Sequence, residues 1–451
     1  MTRTIPARRT GRALGTALWV ALACAPAARA QDPAPTPAPP PTAPPDQPAA
    51  SGRERALEAR LRAVEERLKQ LEAPKEEEPA RGDEDEAERG PLPSWVGAAL
   101  RGVELHAIGV GSYTWNLADP RRRQGANLTR VSDLDHDTFS PTFFKLGLSR
   151  PVSGENAWDA GVRLEVAAGT MVEETLSLDS RFLGGRPVNL ANAYVELQVP
   201  SCWGHPLKVR AGRAYGWFGL DSLDLWDSPL FSHSYYSNYT PFTNTGLFLE
   251  TELGGGFSYM QYVGNGSEVV VDNNRSKSVG GRLAWTQSDD LSVALCWIWG
   301  NEREANEHDA RWQTELDLSW SPLERTDLYL MLHYGQEEGQ ALGGGTAKFG
   351  GGSLALRQGL LAPSAEDADW SLLSLLARVS YLRDQGGVNT GLDQALTELT
   401  GGVEVKPLEF AWLRLEYRAD LSTQPNAFLG HRARMSRRWQ STLTVALGFG
   451  F

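Results

Sequence analysis

Cysteine is scarce in this chain, at three of 451 residues, and one of the three stands in the first thirty. The remaining pair, Cys202 and Cys296, is too sparse for a disulfide framework, and no Cys/His spacing of a structural zinc site occurs. Long apolar runs are also missing. After residue 31 no stretch approaches the roughly 20 apolar residues that a membrane-crossing helix needs. Basic charge is short as well, with 44 Lys and Arg against 56 Asp and Glu, a net charge of -12. That balance argues against nucleic acid as a partner. Neither a Gly-x-Ser-x-Gly elbow nor a His-x-x-Glu pattern is present, so the histidines that could serve near a strand end, His106, His136, His233, His308 and His431 of seven in all, have no catalytic frame.

What is present begins with a leader. Arg3, Arg8, Arg9 and Arg12 precede an apolar stretch from about Ala13 to Ala25 and the small residues Ala28 and Ala30. Residues 1–30 therefore read as a signal peptide; a lipid-modified Cys24 is the weaker alternative, because Leu22 stands one place off. Its removal takes five arginines and no acid, leaving a net charge near -17. Residues 31–52 form a Pro-rich, semi-rigid linker. In 53–73, Leu57, Leu61, Val64, Leu68 and Leu71 recur at alternating steps of four and three, the seam of a short coiled coil. A single amphipathic helix lying on its own domain is the competing reading. Residues 74–94 are an acidic linker.

From Trp95 to Phe451 the texture is uniform. Segments of 9 to 14 residues alternate apolar and polar side chains, as in Trp312, Thr314, Leu316, Leu318 and Trp320 against Gln313, Glu315, Asp317 and Ser319. Sixteen such segments can be counted, each long enough to cross a bilayer at a tilt. The connections alternate long and short, and Trp115, Trp158, Trp285, Trp299, Trp312, Trp320, Trp370 and Trp439 sit at segment ends, as aromatic girdles do. The expected fold is all-β: a transmembrane antiparallel β-barrel of 16 strands over 95–451, with both termini periplasmic. The weakest segment is the twelfth, where "GGGTAKFGGGS" could shift or erase a strand.

A sixteen-strand lumen is too wide for side chains to fill, so the polar parity should line water. It includes Arg163, Glu165, Tyr194, Glu196, Lys208, Arg210, Glu250, Glu252, Arg282, Glu315, Asp317, Arg378, Arg414, Glu416 and Arg418. The loop from Trp217 to Thr245 is too apolar to lie free in water. Folded against the inner wall, it brings Asp221, Asp224, Asp227 and His233 to a constriction; packing as an outer lid or on a neighbouring subunit is the alternative. The acidic steps Asp133, Asp135 and Asp137 lack the Gly and terminal Glu of a calcium loop. Arg213 is a misfit: parity from Val209 and Ala211 points it outward, unless Gly212 re-aims it or it meets lipid phosphate.

The stretch Ala191–Leu253, with "NAYVEL", "VRAGRAYGWFG" and "PFTNTG", resembles the OmpL-like beta-barrel porin-2 family. The resemblance implies a Gram-negative outer-membrane porin, without catalytic residues, and a trimer of the kind in which the third loop narrows the pore. The functional expectation is passive diffusion of small hydrophilic solutes or ions, with a weak cation preference from the net acidity. No cofactor or metal is expected. The expected partners are outer-membrane lipid, further copies of the chain in a homo-oligomer, and the barrel-assembly machinery, which would read the C-terminal Phe451. Two other classes stay open: a structural tether whose barrel anchors the coiled coil, and a barrel enzyme.

Overall fold

The computed structural model describes residues 102–175, 188–201, 204–363, 370–432 and 434–451. The signal peptide, both linkers and the coiled-coil seam lie outside the described residues. The wall begins with β1 (Glu104–Asn116), β2 (Thr138–Arg150), β3 (Asp159–Ala168), β4 (Val188–Val199) and β5 (Leu207–Tyr215). It continues through β6 (Thr243–Gly254), β7 (Phe257–Ser267), β8 (Ser278–Ser288), β9 (Leu291–Gly300) and β10 (Arg311–Leu323). Next come β11 (Thr326–Glu337), β12 (Ala347–Leu361), β13 (Leu373–Gln385), β14 (Gln394–Leu408) and β15 (Ala411–Ser422). A small hairpin, β16 (Phe428–Leu429) and β17 (Met435–Arg437), precedes the last wall strand, β18 (Trp439–Gly450). Every neighbour in the wall is antiparallel, and β18 pairs with both β15 and β1, which closes a barrel of sixteen strands.

Closure removes the edges that an open sheet would expose. The register follows from side-chain alternation. In β18, Val445, Leu447 and Phe449 are exposed on the outside while Thr444, Ala446 and Gly448 are buried inside. A slip of one residue would turn a charged row outward, at about 2–4 kcal/mol for each Arg or Lys near the middle of a membrane. The Gly-rich twelfth segment is a full strand of 15 residues, paired along its length with β11 and β13. Its glycines permit close approach: a Cβ on Gly351 would lie 1.8 Å from the Tyr381 carbonyl oxygen.

Long connections gather at one end of the barrel, here the loop end. Short turns such as Asp289–Asp290 and Glu324–Arg325 occupy the other end with residue 451, here the turn end. Exposed tryptophans mark both: Trp115, Trp299 and Trp439 at the loop end, Trp158 and Trp320 at the turn end. The chain end is paired rather than frayed, since the Ala107 N–H donates to the Phe451 carbonyl at 2.8 Å and the Phe451 N–H donates back at 3.0 Å.

Gly212 takes φ +140°, a conformation that L side chains rarely adopt, while its pairing with β4 and β6 runs through in register. The following Arg213 is 5% exposed, in the electrostatic field of Glu268 from the loop after β7. The outward, lipid-facing position that simple parity gives Arg213 is thereby corrected: its side chain is buried.

Candidate functional site

The inner wall holds alternating acids and bases, and the loops decide which of them meet water. Residues 216–242 leave β5 and cross the lumen against the opposite wall. Their apolar side chains drive this: Leu223, Leu225, Phe231 and Phe242 bury with Val110 of β1, Trp412 of β15 and Ala446 of β18. Met171 and Val172 of a short helix α1 (Thr170–Thr175), in the loop after β3, join the same cluster. Burial of this apolar surface, at about 25 cal/mol per Å² removed from water, is the term that opposes the conformational entropy of a solvated loop.

Polar contacts fix the loop's register on the wall. Glu416 accepts from the Phe231 N–H at 3.0 Å and from the Ser232 N–H at 3.2 Å. Arg378 donates to the Ser232 Oγ at 2.9 Å and to Glu398 at 2.7 Å. Arg418 donates to the His233 carbonyl and to Asp420 at 3.0 Å, with its guanidinium over the Tyr235 ring. Asp221 accepts from the Ser234 N–H at 2.8 Å and the Ser237 hydroxyl at 2.7 Å, and faces Arg378 at 3.7 Å. Burial pushes the Asp221 carboxyl up, but Arg378, His233 and the Ser234 bonds outweigh it and hold it below the usual carboxylate range. Burial also pushes the His233 ring below its ordinary value of 6.5, helped by Arg378 and Arg418 and opposed by Asp221. Asp224 binds Lys145 of β2 and the Tyr215 hydroxyl, the latter at 2.9 Å. At the far reach of the loop, Trp226 stacks on Trp412 with ring centroids 6.3 Å apart and lies beneath Lys406. Asp227 stays exposed.

The residues read from parity as a water-lined wall therefore divide. Glu315, Asp317, Arg378, Arg414, Glu416 and Arg418 turn inward but are at most 4% exposed, covered by the loop rather than open to water. Side-chain volume alone does not fill a sixteen-strand lumen; an apolar loop does, and the expectation of open water along those strands is corrected. Glu165 is also buried, between Arg163 at 2.7 Å and Lys145 at 3.3 Å. Arg163, Tyr194, Lys208, Arg210, Glu250 and Arg282 remain partly accessible, Glu252 is exposed, and Glu196 is nearly buried beside Arg210. Arg210 bridges Glu196 and Glu250, the latter at 3.0 Å, with its guanidinium over the Tyr194 ring. Near the turn end a pocket of about 210 Å³ opens between Arg163, Tyr194, Glu196, Lys208 and Arg210 on one side and Glu104, His106 and Arg150 on the other.

Sequence reasoning missed the buried network at the loop end, where Arg130 meets Asp133 and Asp420. Arg130 lies in a loop of mixed composition, and no local pattern signals that it folds inward. Asp133, Asp135 and Asp137 go to separate partners: Arg130, the Gly125 N–H and Arg123. His106 contacts the Ser149 hydroxyl at 2.7 Å and Glu104 at 3.8 Å, but both through Nε2. A base that activates a serine needs its second ring nitrogen oriented by the acid, so this is not a triad.

A closed sixteen-stranded barrel with an apolar outer belt, tryptophans at both rims, charges inside and an inward-folded third loop defines the class of outer-membrane porins. The chain belongs to the family described as "Putative beta-barrel porin-2, OmpL-like", whose profile matches residues 105–451. No curated protein matches it by sequence. Among solved structures it is similar to an anion-selective porin from Comamonas acidovorans, at 14% identity and a TM-score of 0.50, covering 77% of this chain and 99% of that one. It is also similar to Pseudomonas putida OprB at 11% identity, 79% and 97% coverage and a TM-score of 0.49. A trimeric form of the outer-membrane protein OmpT of Vibrio cholerae matches at 11% identity, 77% and 99% coverage and a TM-score of 0.48. At these identities the likeness is one of fold.

Proposed function

We propose that the protein is a non-enzymatic pore for passive diffusion of small hydrophilic solutes or ions, oriented with the turn end and both termini in the periplasm. The observation that carries this reading is the set of accessible charges on the inner wall toward the turn end of β3 to β8, Arg163, Lys208, Arg210, Arg282, Glu250 and Glu252, beyond the band where Trp217 and Phe218 of the loop pack on Phe248 and Tyr262. Mixed charge of this kind suits water and small polar solutes and disfavours apolar ones. The acids that set the chain's net charge contribute little there, because Glu398, Glu404, Glu416 and Asp420 are each held against an arginine or the loop backbone. Cation preference is accordingly weak. Asp221, Asp224 and His233 act by holding the loop in place, while Asp227 alone of the four presents its charge to water. Association into a homo-oligomer, a trimer before a dimer, through the heptad seam belongs to the same reading.

One observation favours a second reading. Four loops contribute buried side chains to the lumen, including Val131, Met171, Leu225 and Phe428. A barrel so filled would serve well as an anchor for the segment that precedes it. Single-channel recording in planar bilayers separates the two: discrete ohmic steps support the pore, and a silent bilayer with folded, inserted protein supports the tether.

A further inference from the structure

The outer surface of the barrel is apolar but not even. Outward-facing β1 residues between the rims are small, Gly109 and Gly111 among them, whereas Phe139 and Phe144 of β2 and Val445 and Leu447 of β18 rise on either side. The result is an apolar groove of about 820 Å³ floored by β1. From the level of Tyr113 down to Gly109 it runs roughly 13 Å, at about 3.3 Å per residue. A Cβ on Gly111 would meet nothing nearer than the Ser140 carbonyl oxygen at 3.8 Å, so backbone packing does not demand the hollow there.

Directly above the groove the charge of the protein reverses. The last loop, 423–438, carries Arg432, Arg434, Arg437 and Arg438 and no acid, on a chain whose net charge is -12. The first loop adds Arg121, Arg122 and Arg123, all exposed. The two loops are joined, since the Arg121 N–H donates to the His431 carbonyl at 2.9 Å and the Leu117 N–H to the Ser441 carbonyl at 2.9 Å. The acids of the first loop are each engaged: Asp119 lies against His431, Asp137 against Arg123, Asp135 accepts from the Gly125 N–H and Asp133 is buried on Arg130, so the unbalanced positive charge is that of the last loop. Asp137 also accepts from the Tyr113 hydroxyl, which ties Arg123 to the head of the groove. Arg437 stacks over the outward-facing Trp439 ring, its guanidinium 4.8 Å from the centroid, so this cation stands on the membrane side of the rim.

From this juxtaposition we infer that the β18–β1–β2 face is a docking site for a phosphorylated lipid of the outer leaflet, with its phosphates on the arginine cluster and an acyl chain in the groove. The inference rests on the proposed orientation, with the long loops at the cell surface. A lipid is the occupant that satisfies both halves, because a free phosphate leaves the groove uncovered and the outer wall of a second copy, apolar at the level of the groove, brings no acid to the arginines. Guanidinium groups bind phosphate with charge-assisted bonds, and clustered arginines at headgroup level favour anionic lipids.

The test uses full-length folded protein in detergent, with bisphosphorylated lipid A, its dephosphorylated form and inorganic pyrophosphate as probes, read by native mass spectrometry. One bound lipid A is expected, held at least tenfold more strongly than the dephosphorylated form. Replacing Arg432, Arg434, Arg437 and Arg438 together by Gln should weaken retention at least tenfold. Gly111→Leu, which fills the groove and leaves the arginines intact, should do the same. Unchanged lipid binding in either variant overturns the inference. Pyrophosphate binding that equals lipid A binding, with no effect of Gly111→Leu, would make the site one for phosphate alone. Loss of an oligomer in Gly111→Leu with lipid retained would assign the groove to a second copy. Both variants should keep wild-type conductance, so a channel that is silent in all three proteins would count against the pore and not against the lipid site. Labelling of Ser436→Cys on intact cells reads the orientation separately.

Discussion

His233 sits where a titration would be felt. Its ring is 1% exposed, with Nε2 at 3.0 Å from the Ser222 carbonyl, and Asp221, Arg378 and Arg418 are the charges that face it. Burial keeps it neutral in the seated loop, while a released histidine takes a proton below its ordinary 6.5. Seating is therefore fully favoured above pH 6.5 and is lost progressively as pH falls from there toward the depressed value. We expect channel noise and loop proteolysis to rise as pH falls below the ordinary histidine value of 6.5 in the wild type, and this dependence to flatten in His233→Gln. Glu416 offers a second check. Its removal leaves the buried Phe231 and Ser232 N–H groups without their acceptor, so Glu416→Ala should weaken the seat by about 3 kcal/mol and raise conductance. Inward direction was legible at Glu416, because it follows from period-two parity, whereas His233 lies in a loop and has no parity. Burial was not legible, because parity says which side of the wall a residue takes and nothing about what lies over it.

At the level of elements, the strands announce themselves. Each must alternate apolar and polar faces for its whole length, so the pattern survives even in β12, where three consecutive glycines thin it. Loops carry no such periodicity. The apolar content of 217–245 showed that the segment packs on something, yet α1, the β16–β17 hairpin and the inward fold of Arg130 had no local signal. Deleting residues 221–240 should remove the constriction and its salt links while leaving the sixteen wall strands, and unitary conductance should increase severalfold. The last element makes a different prediction. Phe451 pairs with Ala107 through two backbone hydrogen bonds and lies beside Phe449, with ring centroids 6.2 Å apart. Its deletion removes about 1 kcal/mol per bond and the exposed terminal ring. The yield of folded barrel in the outer membrane should fall, whereas the ion selectivity of the protein that does fold should not change.

For the whole molecule, the membership in an outer-membrane porin family and the closed sixteen-stranded wall agree with the long amphipathic segments of the sequence. What the wall encloses is a lumen divided between a loop-covered part, along β10 to β18 and across β6 to β9 beneath Trp217 and Phe218, and an accessible side toward the turn end of β3 to β8. A pore conducts along the second; a tether needs neither. The central claim is that the accessible side carries current. The most direct measurement is single-channel conductance of the full-length protein in a planar bilayer, with the reversal potential read across a salt gradient. Ohmic steps with a reversal potential near zero are the predicted result, and a silent bilayer containing folded, inserted barrel would contradict it.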